Sequence, residues 1–167
     1  MQYIAFEFET AGLPVGRRPL TPETVGQYDT CRAVSLSAAR FSNRGRLMDT
    51  FDAIIQPLDF EISQGSIDVH GITRERAMRE GRPFTEVFLD FMKFVGPRSR
   101  NLIAHNAQFD TSVLKSEMIR NNIDLNLIED FNFRCTLKMY KERFLKPIKL
   151  GVLYKELFGV DFENAHN

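Results

Sequence analysis

The chain has 167 residues, 43% of them hydrophobic, which suits one domain with a core of its own; fifteen Phe and no Trp point to a core built on phenylalanine. Its 22 basic and 22 acidic side chains cancel, so no overall field draws a polyanion, and such a partner would have to be held by local patches or metal ions. No apolar run approaches the ~18 residues of a membrane span. The N-terminus lacks a secretory pattern, and Cys31 and Cys135 stand far apart without metal-ligand spacing, so a soluble, cytoplasmic protein with reduced thiols is expected.

Residues 3–9 alternate as a strand, with Ile4, Phe6 and Phe8 on one face and Tyr3, Ala5, Glu7 and Glu9 on the other. The stretch from Gly12 to Pro22 is too punctuated by Gly and Pro for a regular element. Residues 33–41 and 50–55 read as two strands of a hairpin turned by the polar segment 42–46. Thr73 is placed to cap a short helix through Met78. Phe84, Val87, Phe88, Phe91, Phe94 and Val95 follow helical spacing up to Gly96-Pro97.

A short buried strand is expected at 101–105. A helix follows from Ala107 to about Asn121, with Phe109, Val113, Leu114 and Met118 as its apolar stripe. A fifth strand is expected near 131–136. Two helical segments follow, marked by Leu137, Tyr140 and Phe144, then by Leu150, Leu153 and Leu157 before Gly159. Three strands first, then strands interleaved with helices, give an α/β domain with a mixed sheet, and no linker marks a second domain.

Glu7 and Glu9 share one side of their strand. For a lone Glu-x-Glu, acids standing in water are the commoner reading; a close pair would need a cation or a proton. The segment AHNAQFD (104–110) bears on the choice. There a strand stops at His105, Asn106 is placed to cap a helix, and Asp110 falls in that helix's first turn. Acids favour helix N-termini by ~0.3–1 kcal/mol through the macrodipole alone. Yet a strand end leading into a helix is also where α/β folds bind ligands.

Four stretches in order resemble the DnaQ-like (DEDDh) 3′–5′ exonucleases, which have the ribonuclease H-like fold. FEFETAG (6–12) is similar to that family's Asp-x-Glu-x-Thr-Gly motif, IDVHGIT (67–73) to its His-Gly-Ile segment, LIAHNAQFD (102–110) to its second motif, and GVDFENAHN (159–167) to the opening of its third. The Leu-rich helix at 148–160 also stands where the family has one ahead of that third motif.

The resemblance implies a five-stranded mixed sheet flanked by helices, in one exonuclease-like domain over residues 1–167. It implies two divalent cations, Mg²⁺ or Mn²⁺, held by carboxylates, with Glu9 and Asp110 at ligand positions and Glu7 where an Asp usually bridges both metals. His166 matches the general base, and the substrate would be the 3′ end of DNA or RNA, releasing nucleoside 5′-monophosphates. Backbone amides of Thr10, Ala11 and Gly12 would meet the terminal nucleotide, with Leu13 wedged against its base. Phe109 is balanced between stacking on a base and packing in the core. Asn106 reads better as a helix cap than as a substrate ligand, and His70 better as a turn histidine bonded to backbone than as a phosphate contact.

Between Arg134 and Lys149 stand six basic residues and one acid, Glu142, a net +5 stretch. It is a candidate for tracking a nucleic-acid backbone, with a solvated helix face as the competing reading.

Two departures matter. Glu7 carries one methylene more than Asp, moving its carboxylate by ~1.5 Å where working constellations are held within ~0.5 Å. The family's last Asp, with the helix that bears it, would fall after Asn167, so the chain is expected to be part of a longer polypeptide. Two hypotheses therefore stand. One is a metal-dependent 3′–5′ exonuclease. The other is a degenerate module that binds nucleic-acid ends or a protein partner without cleaving. A purely structural domain would leave four ordered motifs to coincidence.

Overall fold

The computed structural model describes residues 2–16, 18–97 and 100–161. A five-stranded sheet is formed by β1 (Tyr3–Thr10), β2 (Ala33–Phe41), β3 (Leu47–Ile54), β4 (Asn101–Ala104) and β5 (Asn132–Cys135). Its spatial order is β3-β2-β1-β4-β5. The β3-β2-β1 ladder is antiparallel, while β4 and β5 run parallel to β1, so the sheet is mixed as expected.

The expected alternation of β1 is observed. Ile4, Phe6 and Phe8 are buried, and Phe6 contacts Phe91 and Phe133 at ring-centroid separations of 6.5 and 5.9 Å. Phe91 belongs to a helix over Phe84–Val95, which also buries Phe84, Val87, Phe88 and Val95. Edge-to-face and tilted ring pairs at such separations add to the area they remove from water, which is how a core without Trp is filled.

Six helices occur among the described residues: α1 (Gln64–His70), α2 (Arg74–Glu80), α3 (Phe84–Val95), α4 (Ala107–Arg120), α5 (Thr136–Phe144) and α6 (Leu150–Phe158). Thr73 caps α2 by accepting from the Arg76 amide at 3.2 Å, and Gly159, at φ 74°, ends α6. Two elements differ from the sequence expectation. Helix α1 has no apolar periodicity to announce it; it is set at its ends, by Ser63 accepting from the Ser66 amide and by Gly71 at φ 70°. Strand β3 begins at Leu47, not near residue 50. The turn closes tightly, with the Ser42 amide donating to the Arg46 carbonyl at 2.9 Å, so pairing resumes at once although Leu47 and Met48 are exposed on the sheet edge.

No helix of the described residues is long and apolar enough to cross a membrane. Cys31 is buried, Cys135 half-buried, and neither forms a disulfide.

Candidate active site

The site begins where β4 runs out. Pairing of β1 with β4 covers Ile4 and Ala5 opposite Leu102 and Ile103, and β4 ends at Ala104. Beyond that point β1 has no strand on this side, and the Phe8 amide donates instead to Asp110 Oδ1 at 3.0 Å. A side chain from the first turn of α4 thus substitutes for a strand partner at the residue between Glu7 and Glu9. Asp110 is 5% exposed. Burial pushes its carboxyl from the ordinary 3.8 up to about 7; the hydrogen bond from Phe8 opposes that rise, and the negative charges of Glu7 and Glu9 add to it.

Glu7 is exposed and Glu9 half-buried, both on the face away from the phenylalanines. Across the ladder Glu7 faces Ser37, and Ser37 faces Asp52. A groove of about 350 Å³ lies along this face, lined by Ala5, Glu7, Ser37, Asp52, His105 and Thr136 among others. Asp52 and His105 were not singled out from the sequence. Hairpin register would have found Asp52, since a residue two strands from Glu7 in the same row shares its face.

His105, just past β4, uses both ring nitrogens. The Ile148 carbonyl, 3.0 Å from Nε2, can only accept, so Nε2 carries the proton. In the neutral ring Nδ1 then accepts from Thr136 Oγ1 at 2.9 Å.

The loop after β1 is held from three directions. The Ala11 amide donates to the Arg32 carbonyl, the Ser63 amide donates to the Ala11 carbonyl, and Thr30 Oγ1 donates to the Leu13 carbonyl at 2.6 Å. Thr10 Oγ1 is tied to the Gly12 carbonyl at 2.9 Å. A side chain at position 12 would come within 2.6 Å of the Thr30 carbonyl oxygen, so this close approach requires glycine. The result leaves Leu13 75% exposed at the mouth of the loop. One expectation is corrected here: the Ala11 N–H is spent on Arg32 and is not offered to a nucleotide.

Asn106 is a second correction. It occupies the N-cap position, but at φ 68° it makes no side-chain capping bond; the Phe109 amide is met by its backbone carbonyl instead. The left-handed conformation turns the chain sharply from β4 into α4 and leaves Asn106 exposed. Phe109 is half-buried and packs against the main core. His70 is 4% exposed at the end of α1, its Nδ1 accepting from the Ile72 amide at 3.1 Å. His166 lies outside the described residues.

The donor set suits a hard divalent cation: carboxylate oxygens with no thiolate among them. The raised carboxyl of Asp110 also fits, because a dication would offset the burial, and the neighbouring charges of Glu7 and Glu9, that hold the proton on. Among the described residues, however, no group of three or more His, Cys, Asp or Glu side chains is close enough to hold one ion.

The Exonuclease family model (RNase_T) matches residues 4–167, nearly the full chain. The chain belongs to that family. Within this exonuclease family it is similar to a PolC-type DNA polymerase III of Lactococcus lactis, at 27% identity over 98% of this chain but 9% of that protein. It is likewise similar to the DNA polymerase III subunit epsilon of Buchnera aphidicola, at 27% identity over 70% of this chain and 46% of that protein. The chain therefore spans about a tenth of the PolC-type relative it matches.

Its fold is also that of E. coli exonuclease I. The structure with a dT13 oligonucleotide gives a TM-score of 0.76 at 16% identity, covering 99% of this chain and 37% of the other. A zinc-bound complex with single-stranded DNA gives 0.75 at 19% identity, with the same coverage. The protein is thus an exonuclease domain of DnaQ type on a ribonuclease H-like sheet.

Proposed function

We propose that this domain is a metal-dependent 3′–5′ exonuclease that releases nucleoside 5′-monophosphates from single-stranded or frayed 3′ ends. The observation that carries the reading is Asp110, buried at the end of β4, bonded to the Phe8 amide and pushed up to about 7 beside Glu7 and Glu9. Two of the three motifs thereby converge, although 102 positions separate Phe8 from Asp110. Glu7, Glu9 and Asp110 would hold two Mg²⁺ or Mn²⁺ ions. When bound, such ions stabilise the charge on the attacking and leaving oxygens of an in-line displacement at phosphorus.

The chain's own residues supply the rest. Asp110 is kept in place by the Phe8 amide, so its orientation does not depend on bound substrate. Leu13 and the Thr10–Gly12 loop stand beside the acids as a wall for the terminal nucleotide. His166 is assigned the general base, a role in which neutral imidazole takes a proton from water near neutral pH. Similarity to polymerase III chains makes DNA the first substrate to test, with RNA beside it.

The decisive assay follows a 3′-labelled oligonucleotide, single- and double-stranded, DNA and RNA. Mononucleotide release with Mg²⁺ or Mn²⁺ and none with chelator is expected. No release from the intact native polypeptide, with none restored by Glu7→Asp, would refute the reading.

A second reading, a module that binds nucleic-acid ends without cleaving, is favoured by Glu7 at the bridging position and by the absence of a closed three-ligand group among the described residues. Calorimetry separates the two: the exonuclease takes up divalent ions, whereas the binding module holds an oligonucleotide tightly with no ion uptake and no turnover.

A further inference from the structure

We propose that α5 and the turn after it form a track for the backbone of a single-stranded nucleic acid, fixed to the candidate site by His105; this rests on the exonuclease reading and extends it outward. The segment from Thr136 to Lys149 leaves the site and comes back to it. Its first residue, Thr136, and its penultimate one, Ile148, are both hydrogen-bonded to the single imidazole of His105, one residue before Asn106. A strand end, a helix start and the end of a turn are thus stitched together beside the groove that holds Glu7. On the far side, Tyr140 OH donates to Glu156 at 3.0 Å, tying α5 to α6. The segment is a braced projection of the site.

What it projects is positive. Lys138, Lys141, Arg143, Lys146 and Lys149 are all exposed. Among the described residues, the only ion pair they enter is the loose Lys138–Glu142 contact at 4.0 Å. In a protein of zero net charge this is a local excess of cation next to a pocket of acids. An incoming phosphodiester needs that arrangement: repulsion from the carboxylates is offset by lysines on the helix that starts at the groove. Helix α5 is ~13 Å long at 1.5 Å per residue, enough to follow two or three phosphates.

Two apolar residues make a strand with bases a better occupant than salt ions. Phe144 is 49% exposed, with Tyr140 at 4.5 Å between ring centroids and the Arg143 guanidinium 5.2 Å from its own ring. Cation beside exposed aromatic is the pairing that single-strand binders use for phosphate and base together. Leu145 closes α5 in the left-handed region, at φ 58°, and is 89% exposed. Conformation alone would favour glycine there, and among the described residues nothing covers the leucine. A contact from outside, such as a base edge, gives it a use.

The test measures binding of a 5′-fluorescein dT12 oligonucleotide by anisotropy, in EDTA so that nothing is cleaved, from low to high salt. Each phosphate contact on a single strand contributes about 0.7 to the slope of log K against log salt. The triple variant Lys141→Gln/Arg143→Gln/Lys146→Gln is expected to flatten that slope by about 2 and to weaken binding at least tenfold at low salt. With Mn²⁺ added, its loss appears in KM. Leu145→Gly is expected to melt no lower than the parent while binding several-fold more weakly, which a structural role for the leucine would not produce.

An unchanged slope for the triple variant, beside a parent that binds and degrades the oligonucleotide, overturns the track and leaves the exonuclease reading standing. A parent that binds no oligonucleotide in EDTA yet releases mononucleotides with Mn²⁺ overturns the track alone; a parent that neither binds nor degrades it overturns both. Weaker binding with an unaltered slope also overturns the track, since the lost contact would then not be ionic.

Discussion

On one face of the sheet the row Phe6–Ala38–Phe51 lies under α3, where Phe51 meets Phe91 and Phe94 at 5.9 and 5.7 Å. One residue along, the row Glu7–Ser37–Asp52 lies on the opposite face, beside the groove. The same three strands therefore carry bulk aromatics in one row and small or acidic residues in the next. The strand period of two makes this division possible, because each backbone serves both faces without either constraining the other's chemistry. Stability is concentrated where the rings are, and the acids sit where their mutual repulsion costs the fold least. Asp110, bonded to the amide between the two glutamates, is shielded from water where they are not, and burial pushes its carboxyl up to about 7.

Substitutions on the two faces should separate cleanly. The largest effect is expected from Asp110→Asn, which keeps the shape and removes the charge; activity should fall to the level seen with chelator while the melting temperature holds or rises. A comparable fall in activity together with a large loss of stability would mean that the residue serves the fold and not the chemistry.

Next comes Phe91→Ala on the opposite face. It should cost ~3–5 kcal/mol in denaturant unfolding and leave the divalent-ion requirement of the remaining folded protein unaltered. Glu117→Ala should cost about as much. Glu117 is 2% exposed, accepts from Arg32 Nε at 2.8 Å and from the Ala33 amide at 3.0 Å, and its removal leaves the buried guanidinium with the exposed Asp59 as its remaining ionic partner. Replacing Arg32 and Glu117 together by apolar residues should recover most of that loss.

A smaller effect concerns pH. The folded state holds a proton on Asp110 that the unfolded chain has released above about 3.8. The resulting stability is full below that value and is lost as pH rises through about 7. Without divalent ions the protein should melt lower at pH 8 than at pH 6. Mg²⁺ should flatten that trend, and so should Asp110→Asn; a trend that survives the substitution must arise elsewhere. The smallest change expected is from Glu7→Asp, which should raise turnover in the labelled-oligonucleotide assay several-fold by bringing the carboxylate back by ~1.5 Å; a fall in turnover would show that the backbone has adapted to glutamate.

Much of this architecture was legible in the chain. Alternation in residues 3–9 gave β1 and its two faces, and helical spacing of phenylalanines gave α3. The motif segments, through family resemblance, gave the expectation that Glu7, Glu9 and Asp110 share one site; of that the structure shows Asp110 bonded to the amide between the two glutamates. Helix α1 was not legible, because capping and a left-handed glycine define it while its interior carries no periodic signal. The extra residues of β3 were hidden because an edge strand with exposed Leu47 and Met48 shows no alternation. His105 was passed over as the last residue of a strand, since its partners Thr136 and Ile148 lie 31 and 43 positions away.

Local pattern thus determined most of the elements and the phenylalanine core, because periodicity and turn chemistry act over a few residues. Only the tertiary structure decided which amides are spent, that Asn106 takes the N-cap position through its backbone and not its side chain, and that Thr136 and Ile148 meet on one imidazole. Those outcomes depend on where β4 stops relative to β1 and on which hydrogen-bonding groups must then be satisfied by distant parts of the chain.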